Sequence, residues 1–225
     1  VTQLAGSDGK RVWYISAEPS PLRRALYSIR LDGRDKRRLT PEEGYCSVNP
    51  SKGMRYYIST FSSATTPGIV TVHTSDGKTV DTLRDNRPAV AAFGKRPQKE
   101  FFTFTTERGD TLNAYIVRPL DFDPAKRYPV LLTQYSGPGS QEVLDRWNAD
   151  WEDAMPEHGY IVVCTDGRGT GGRGERFKKA TYGRLGEIEV EDQLSLARYM
   201  ARQEYVDPDR IGIYGWSYGG FMALG

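Results

Sequence analysis

Histidine and cysteine are both scarce, with two of each among 225 residues. Cys46 and Cys164 lie far apart, each in or beside a strand-like run, a pattern that suits buried thiols better than a disulfide or a metal site. No metal or organic cofactor is implied. A surplus of charge of one sign is also missing: 31 basic residues against 29 acidic ones leave a formal charge of +2. That balance gives no electrostatic reason to expect a nucleic-acid or membrane-surface partner. A local basic run such as Lys36-Arg37-Arg38 reads as a solvated turn or strand edge. No apolar run is long enough to span a bilayer, and the first residues carry no signal-peptide pattern. The chain opens on a strand-like repeat rather than on Met, so an upstream segment carrying any targeting signal is expected.

What is present describes an ordinary globular protein: 38% hydrophobic, 27% charged and 12% aromatic residues, with 24 Gly and 14 Tyr that favour short strands and turns. The length suits one large or two modest domains. The character of the sequence changes near residue 95, so the expected division is 1–95 and 96–225.

The first part repeats itself. Gly9-Lys10-Arg11-Val12-Trp13-Tyr14-Ile15-Ser16 is echoed by Gly53-Met54-Arg55-Tyr56-Tyr57-Ile58-Ser59, and the Asp32-Gly33 turn by Asp76-Gly77, at offsets of 43 to 44 residues. Each copy reads as a strand, a loop, a second strand, an Asp-Gly hairpin turn and a third short strand. A repeat of this length built from antiparallel strands is the pattern of propeller blades. Two blades cannot close a propeller, so either further blades lie upstream or this part is a small β-sandwich. Residues 84–99, rich in Pro and charge, read as an inter-domain connection.

Beyond the connection the pattern turns to α/β. Phe101 to Thr106 and Thr111 to Arg118 form a predicted hairpin, and Pro129 to Gln134 and Tyr160 to Thr165 are nearly all-apolar strands suited to a parallel sheet. Residues 141–157 between them have helical character. Glu187 to Gln203 is the clearest predicted helix, with Val190, Leu194, Ala197 and Ala201 as its apolar stripe and acidic residues in its first turns. A last short strand, Arg210 to Tyr214, leads into Gly215-Trp216-Ser217-Tyr218-Gly219 and a helix-like run, Gly220 to Leu224.

A G-x-S-x-G sequence after a strand and before a helix is the pattern of a nucleophile elbow, the α/β-hydrolase device that lifts a serine hydroxyl above the carboxyl edge of a sheet. The turn is tight enough to force strain on the serine, about 1 to 3 kcal/mol, and small residues two positions either side let strand and helix approach. The positive end of the following helix is then aimed at a developing oxyanion. A serine also needs a base and an orienting carboxylate, which in this fold follow it in the chain. Only eight residues follow Ser217, and His73 and His158 both precede it. The acid and base are therefore expected outside this sequence, and the 225 residues alone are expected to be inactive and to leave a sheet edge uncovered.

With Asp166-Gly167-Arg168-Gly169, Tyr135-Ser136-Gly137-Pro138, Arg184-Leu185-Gly186 and Glu189-Val190-Glu191-Asp192-Gln193, the elbow gives a chain that closely resembles the prolyl oligopeptidase family, and within it the dipeptidyl peptidase IV branch. The resemblance is strong from about residue 99 onward and looser across the repeats, which resemble the family's last blades. It implies all-β propeller blades followed by part of an α/β-hydrolase. It implies Ser217 as acylated nucleophile, the Tyr135 hydroxyl as one half of the oxyanion hole and the Tyr218 backbone N–H as the other. Tyr218 and Trp216 match aromatic residues at or beneath the pocket for a penultimate proline. Arg168 is expected to serve a buried ion pair rather than a substrate.

The activity so implied is removal of amino-terminal dipeptides after Pro or Ala. Tripeptidyl or acylaminoacyl peptidase, a general esterase and a catalytically dead binding relative stand as alternatives. The partners implied are peptide substrates and a second copy of the chain in a homodimer, with no nucleic acid. The compartment implied is secreted, periplasmic or membrane-anchored. The family's paired glutamates, which hold the substrate's amino terminus, have no match here: Glu42-Glu43 sits too late in the repeats.

Overall fold

The structure is a computed structural model that describes residues 1–40, 42–148 and 151–225. Its backbone separates into two compact units, Val1–Gly94 with Leu144–Asn148, and Lys95–Val143 with Ala149–Gly225.

The first unit holds two antiparallel four-stranded sheets. One runs in order through β1 (Gln3–Ser7), β2 (Arg11–Ser16), β3 (Ala25–Arg30) and β4 (Arg37–Arg38). The other runs through β5 (Tyr45–Pro50), β6 (Tyr56–Ser62), β7 (Ile69–Thr74) and β8 (Thr79–Asp85). These meanders are propeller blades. Each contains one strand more than the sequence suggests, because β1 and β5, with Gly6 in one and Asn49-Pro50 in the other, lack the β-branched alternation that marks β2 and β6. The two Asp-Gly turns place Gly33 at φ 80° and Gly77 at φ 94°, conformations open to glycine at no steric cost. Trp13, Ile15 and Leu26 of the first blade share a buried cluster with Met54 and Tyr57 of the second, and the Trp13 indole N–H donates to the Ser75 carbonyl at 2.9 Å.

A short helix α1 (Arg87–Ala91), opened by Pro88, follows β8. The second unit then builds a five-stranded sheet from β9 (Lys99–Thr105), β10 (Thr111–Val117), β11 (Tyr128–Thr133), β12 (Ile161–Asp166) and β13 (Val206–Tyr214), in the order β13-β11-β12-β10-β9. β11 is parallel to both β12 and β13, while β9 and β10 form an antiparallel hairpin on one side. Leu112, Val130, Leu132, Ile161 and Val163 are buried on the sheet with Leu196 and Met200. The helices are α2 (Glu175–Lys178), α3 (Ile188–Ala201) and α4 (Tyr218–Leu224). This is part of an α/β-hydrolase.

Two expectations are corrected. Residues 141–157 form no α-helix among the described residues, only 3-10 turns at Trp151–Asp153 and Met155–His158; residues 149 and 150 lie outside those described. The amides there are taken by distant acceptors instead of a helical ladder. Those of Glu142 and Val143 donate to the Asp166 carboxylate, each at 2.9 Å, that of Asp145 to the Leu22 carbonyl at 2.9 Å, and that of Trp147 to the Ser62 hydroxyl at 3.2 Å. The stripe on α3 is also rotated. Leu194 is 47% exposed, whereas the buried face carries Glu189, Asp192, Gln193, Leu196 and Met200.

Candidate active site

β13 ends at Tyr214 and α4 begins at Tyr218, leaving three residues to turn the chain. Ser217, the last of them, has φ 54° and ψ −114°, a left-handed conformation that a side-chain-bearing residue holds only when its surroundings over-determine it. The neighbours show how. A Cβ on Gly215 would overlap the Gly219 carbonyl and come within 2.5 Å of Gln134 Nε2. One on Gly219 would come within 2.5 Å of the Gln134 carbonyl oxygen. Strand, turn and helix therefore interlock only with glycine at both places. The Gly219 N–H donates to the Trp216 carbonyl at 2.8 Å and the Phe221 N–H to the Ser217 carbonyl at 3.1 Å. Ser217 itself is exposed.

Parallel pairing of β11 and β13, with Thr133 opposite Tyr214, carries Tyr135 out of the sheet beside this turn. Gln134 fastens the two: its backbone N–H donates to the Tyr214 carbonyl at 3.2 Å and its side-chain Nε2 to the Gly219 carbonyl at 2.7 Å. The half-buried Tyr135 ring lies over Gly137, where a Cβ would overlap it. Ser136 between them has φ 59°, and its hydroxyl accepts from Gln193 Nε2 at 3.0 Å. The Tyr135 and Tyr218 ring centroids are 6.3 Å apart. Beyond Pro138 the segment returns to the end of β12, where the two Asp166-bound amides close it.

Tyr218 is anchored from below. Its hydroxyl donates to Glu189 Oε1 at 2.7 Å, while the Gly186 N–H donates to Glu189 Oε2 at 3.1 Å. The Glu189 residue is only 1% exposed. Burial, together with that carboxylate, pushes the Tyr218 phenol up to about 12. Its ring also meets Phe221 edge-on, with centroids 5.5 Å apart. Trp216, 77% exposed, borders a cleft of about 180 Å³ together with Gln134, Tyr135, Trp151 and Tyr214.

Ser217, Tyr135 and Tyr218 thus share the carboxyl edge of β11 and β13. The histidines do not join them. His158 precedes β12 and lies at the opposite, amino edge of the parallel strands. His73 is a half-buried residue of β7, its ring stacked on Tyr57 with centroids 4.9 Å apart. Glu43 pairs with Arg23. Arg168 makes the expected ion pair, with its guanidinium 2.6 Å from the fully buried Asp192, which holds the guanidinium above its usual range. Both cysteines are buried and neither is in a disulfide, and burial pushes the Cys46 thiol up to about 12. Sequence reasoning missed Gln134, Glu189 and Gln193 as residues of the site. No local feature of the sequence marks them, since their partners lie 29 to 85 residues away in the chain.

Residues 147–225 match the sequence profile of the prolyl oligopeptidase family, and residues 1–68 match that of the dipeptidyl peptidase IV (DPP IV) N-terminal region. The chain is 36% identical over 220 residues to a probable dipeptidyl-aminopeptidase B of Sclerotinia sclerotiorum, covering 95% of this chain and 24% of the relative. It is 37% identical over 219 residues to dipeptidyl-aminopeptidase B of Aspergillus niger, with the same coverage of 95% and 24%. A crystal structure of Porphyromonas gingivalis dipeptidyl peptidase 4 is similar throughout, with a TM-score of 0.95 and 48% identity, and covers 100% of this chain and 32% of that one. The chain therefore spans about a quarter of the length of the curated relatives it matches.

Proposed function

We propose, on the premise that this chain belongs to the prolyl oligopeptidase family and to its dipeptidyl peptidase IV branch, that it supplies the nucleophile and oxyanion hole of a serine exopeptidase. The peptidase removes amino-terminal dipeptides after Pro or Ala. The observation that carries this reading is the strained, exposed Ser217 between β13 and α4, with Tyr135 leaving the adjacent strand beside it.

In the proposed reaction Ser217 Oγ attacks the carbonyl carbon of the scissile bond while its proton passes to a base. Neither histidine here is placed for that task, so the reading takes the base from outside these 225 residues. The oxyanion that forms is stabilised by the Tyr135 hydroxyl and the Tyr218 backbone N–H, donors fixed before charge develops. Collapse expels the amine and leaves an acyl-enzyme on Ser217, which water hydrolyses. The Tyr218 ring, with Trp216 at the rim, forms the apolar wall that receives the penultimate residue. The reading further takes the protein to act outside the cytoplasm and as a homodimer. No helix among the described residues is long and apolar enough to cross a membrane.

The test is covalent labelling of the full-length protein by a fluorophosphonate, alongside hydrolysis of Xaa-Pro and Xaa-Ala amides. Loss of both in Ser217→Ala supports the reading. Labelling that persists in that variant overturns it, and release of tripeptides or turnover of esters alone assigns another activity to the same serine.

A further inference from the structure

We propose that Glu189 is a positioning residue that sets the preference for proline at the cleaved position, by holding the Tyr218 ring through its hydroxyl. This rests on the reading of Ser217 and Tyr218 given above and names a determinant of specificity within it. Glu189 lies in the first turn of α3, remote in sequence from the elbow, yet one carboxylate oxygen accepts from the Tyr218 hydroxyl and the other from the Gly186 N–H. A carboxylate 1% exposed is costly to bury unless its acceptors are satisfied, and here its two partners are a ring of the proposed substrate wall and the turn that packs against α4. Gly186 has φ 82°, and a Cβ there would come within 2.9 Å of the Phe221 ring. Phe221 in turn meets the Tyr218 ring edge-on. The ring is therefore held at its tip by Glu189 and at its edge by Phe221, while its backbone is held independently by the elbow.

Without the tip contact the ring can swing about its χ1 and χ2 bonds, while the backbone N–H stays where the elbow puts it. A pyrrolidine packed on the ring face registers that loss. An alanine methyl, which covers little of the ring, registers it far less.

The experiment compares full-length wild type with Glu189→Ala, Glu189→Gln and Tyr218→Phe on Xaa-Pro and Xaa-Ala amides, with fluorophosphonate labelling in parallel. Glu189→Ala should raise KM for the Pro substrate about tenfold, as expected for losing one buried hydrogen bond to a charged group, with kcat falling less than KM rises. The Pro-to-Ala ratio of kcat/KM should fall accordingly. Glu189→Gln, which keeps an acceptor for the phenol, should recover most of that ratio, and Tyr218→Phe should reproduce the fall. An unchanged Pro-to-Ala ratio in Glu189→Ala and Tyr218→Phe overturns the proposal. So does a loss of kcat alone, equal for both substrates. Should Glu189→Ala not fold, the Tyr218→Phe ratio decides. Absence of wild-type labelling instead refutes the underlying serine-hydrolase reading, which separates the two failures.

Discussion

A single methyl group tests the elbow. Gly215→Ala would drive a carbon into the Gly219 carbonyl of α4 and to 2.5 Å from Gln134 Nε2, which is itself bonded to that carbonyl. The expected cost is at least the ~1–3 kcal/mol of an overpacked core, read as a lower midpoint in urea together with loss of fluorophosphonate labelling. Tyr135→Phe removes a donor and no bulk. It should lower kcat by about 100- to 1000-fold with KM little changed, measured on a dipeptidyl amide in the full-length protein. Ser217, Tyr135 and Tyr218 could be singled out in the sequence because a strand-turn-helix context and several ordered motifs mark them. Gln134, Glu189 and Gln193 could not, since their importance lies in hydrogen bonds spanning 85, 29 and 57 residues of chain, and nothing local announces such a partner.

Helix α3 shows where periodicity misleads. Its sequence offers an apolar stripe through Val190, Leu194, Ala197 and Ala201, yet the face against the sheet carries Glu189, Asp192 and Gln193 beside Leu196 and Met200. Polar groups with hydrogen-bond partners can occupy a core face, and here Glu189, Asp192 and the Nε2 of Gln193 meet Tyr218, Arg168 and Ser136 in turn. The consequence is a pair of opposite outcomes from two leucines two residues apart. Leu196→Ala should destabilise by about 2–5 kcal/mol, whereas Leu194→Gln, at a half-exposed site, should stay within about 0.5 kcal/mol. Chemical denaturation of both variants measures the contrast. The strands were easier to read: β10, β11 and β12 announce themselves by runs of Val, Ile and Leu, but β1 and β5 carry too little alternation to stand out.

At the scale of the molecule, the repeat and the change of character near residue 95 were visible because they are differences of pattern. That residues 144–148 fold with the blades was not, because the capture of Asp145 by Arg23 and by the Ala64 N–H is a tertiary event. One edge strand of the five-stranded sheet, β13, exposes Ile213 and Tyr214 at 37% and 43%. Such an edge invites pairing between copies, so the 225-residue chain expressed by itself should self-associate. Ile213→Lys should raise its soluble monomeric fraction, as followed by size-exclusion chromatography.

The return of the chain from Tyr135 to Asp166 fixes a length as well as a shape. With the ring laid over Gly137 at one end and two consecutive amides, of Glu142 and Val143, captured at the other, the intervening residues act as a gauge set to one spacing. An insertion or deletion of one residue between 138 and 141 would move the capture out of register and tilt the phenol with it. Turnover should collapse there, while equal changes in the Asp-Gly turns of the blades should be absorbed, and a scan of single-residue insertions in the full-length protein would trace that boundary.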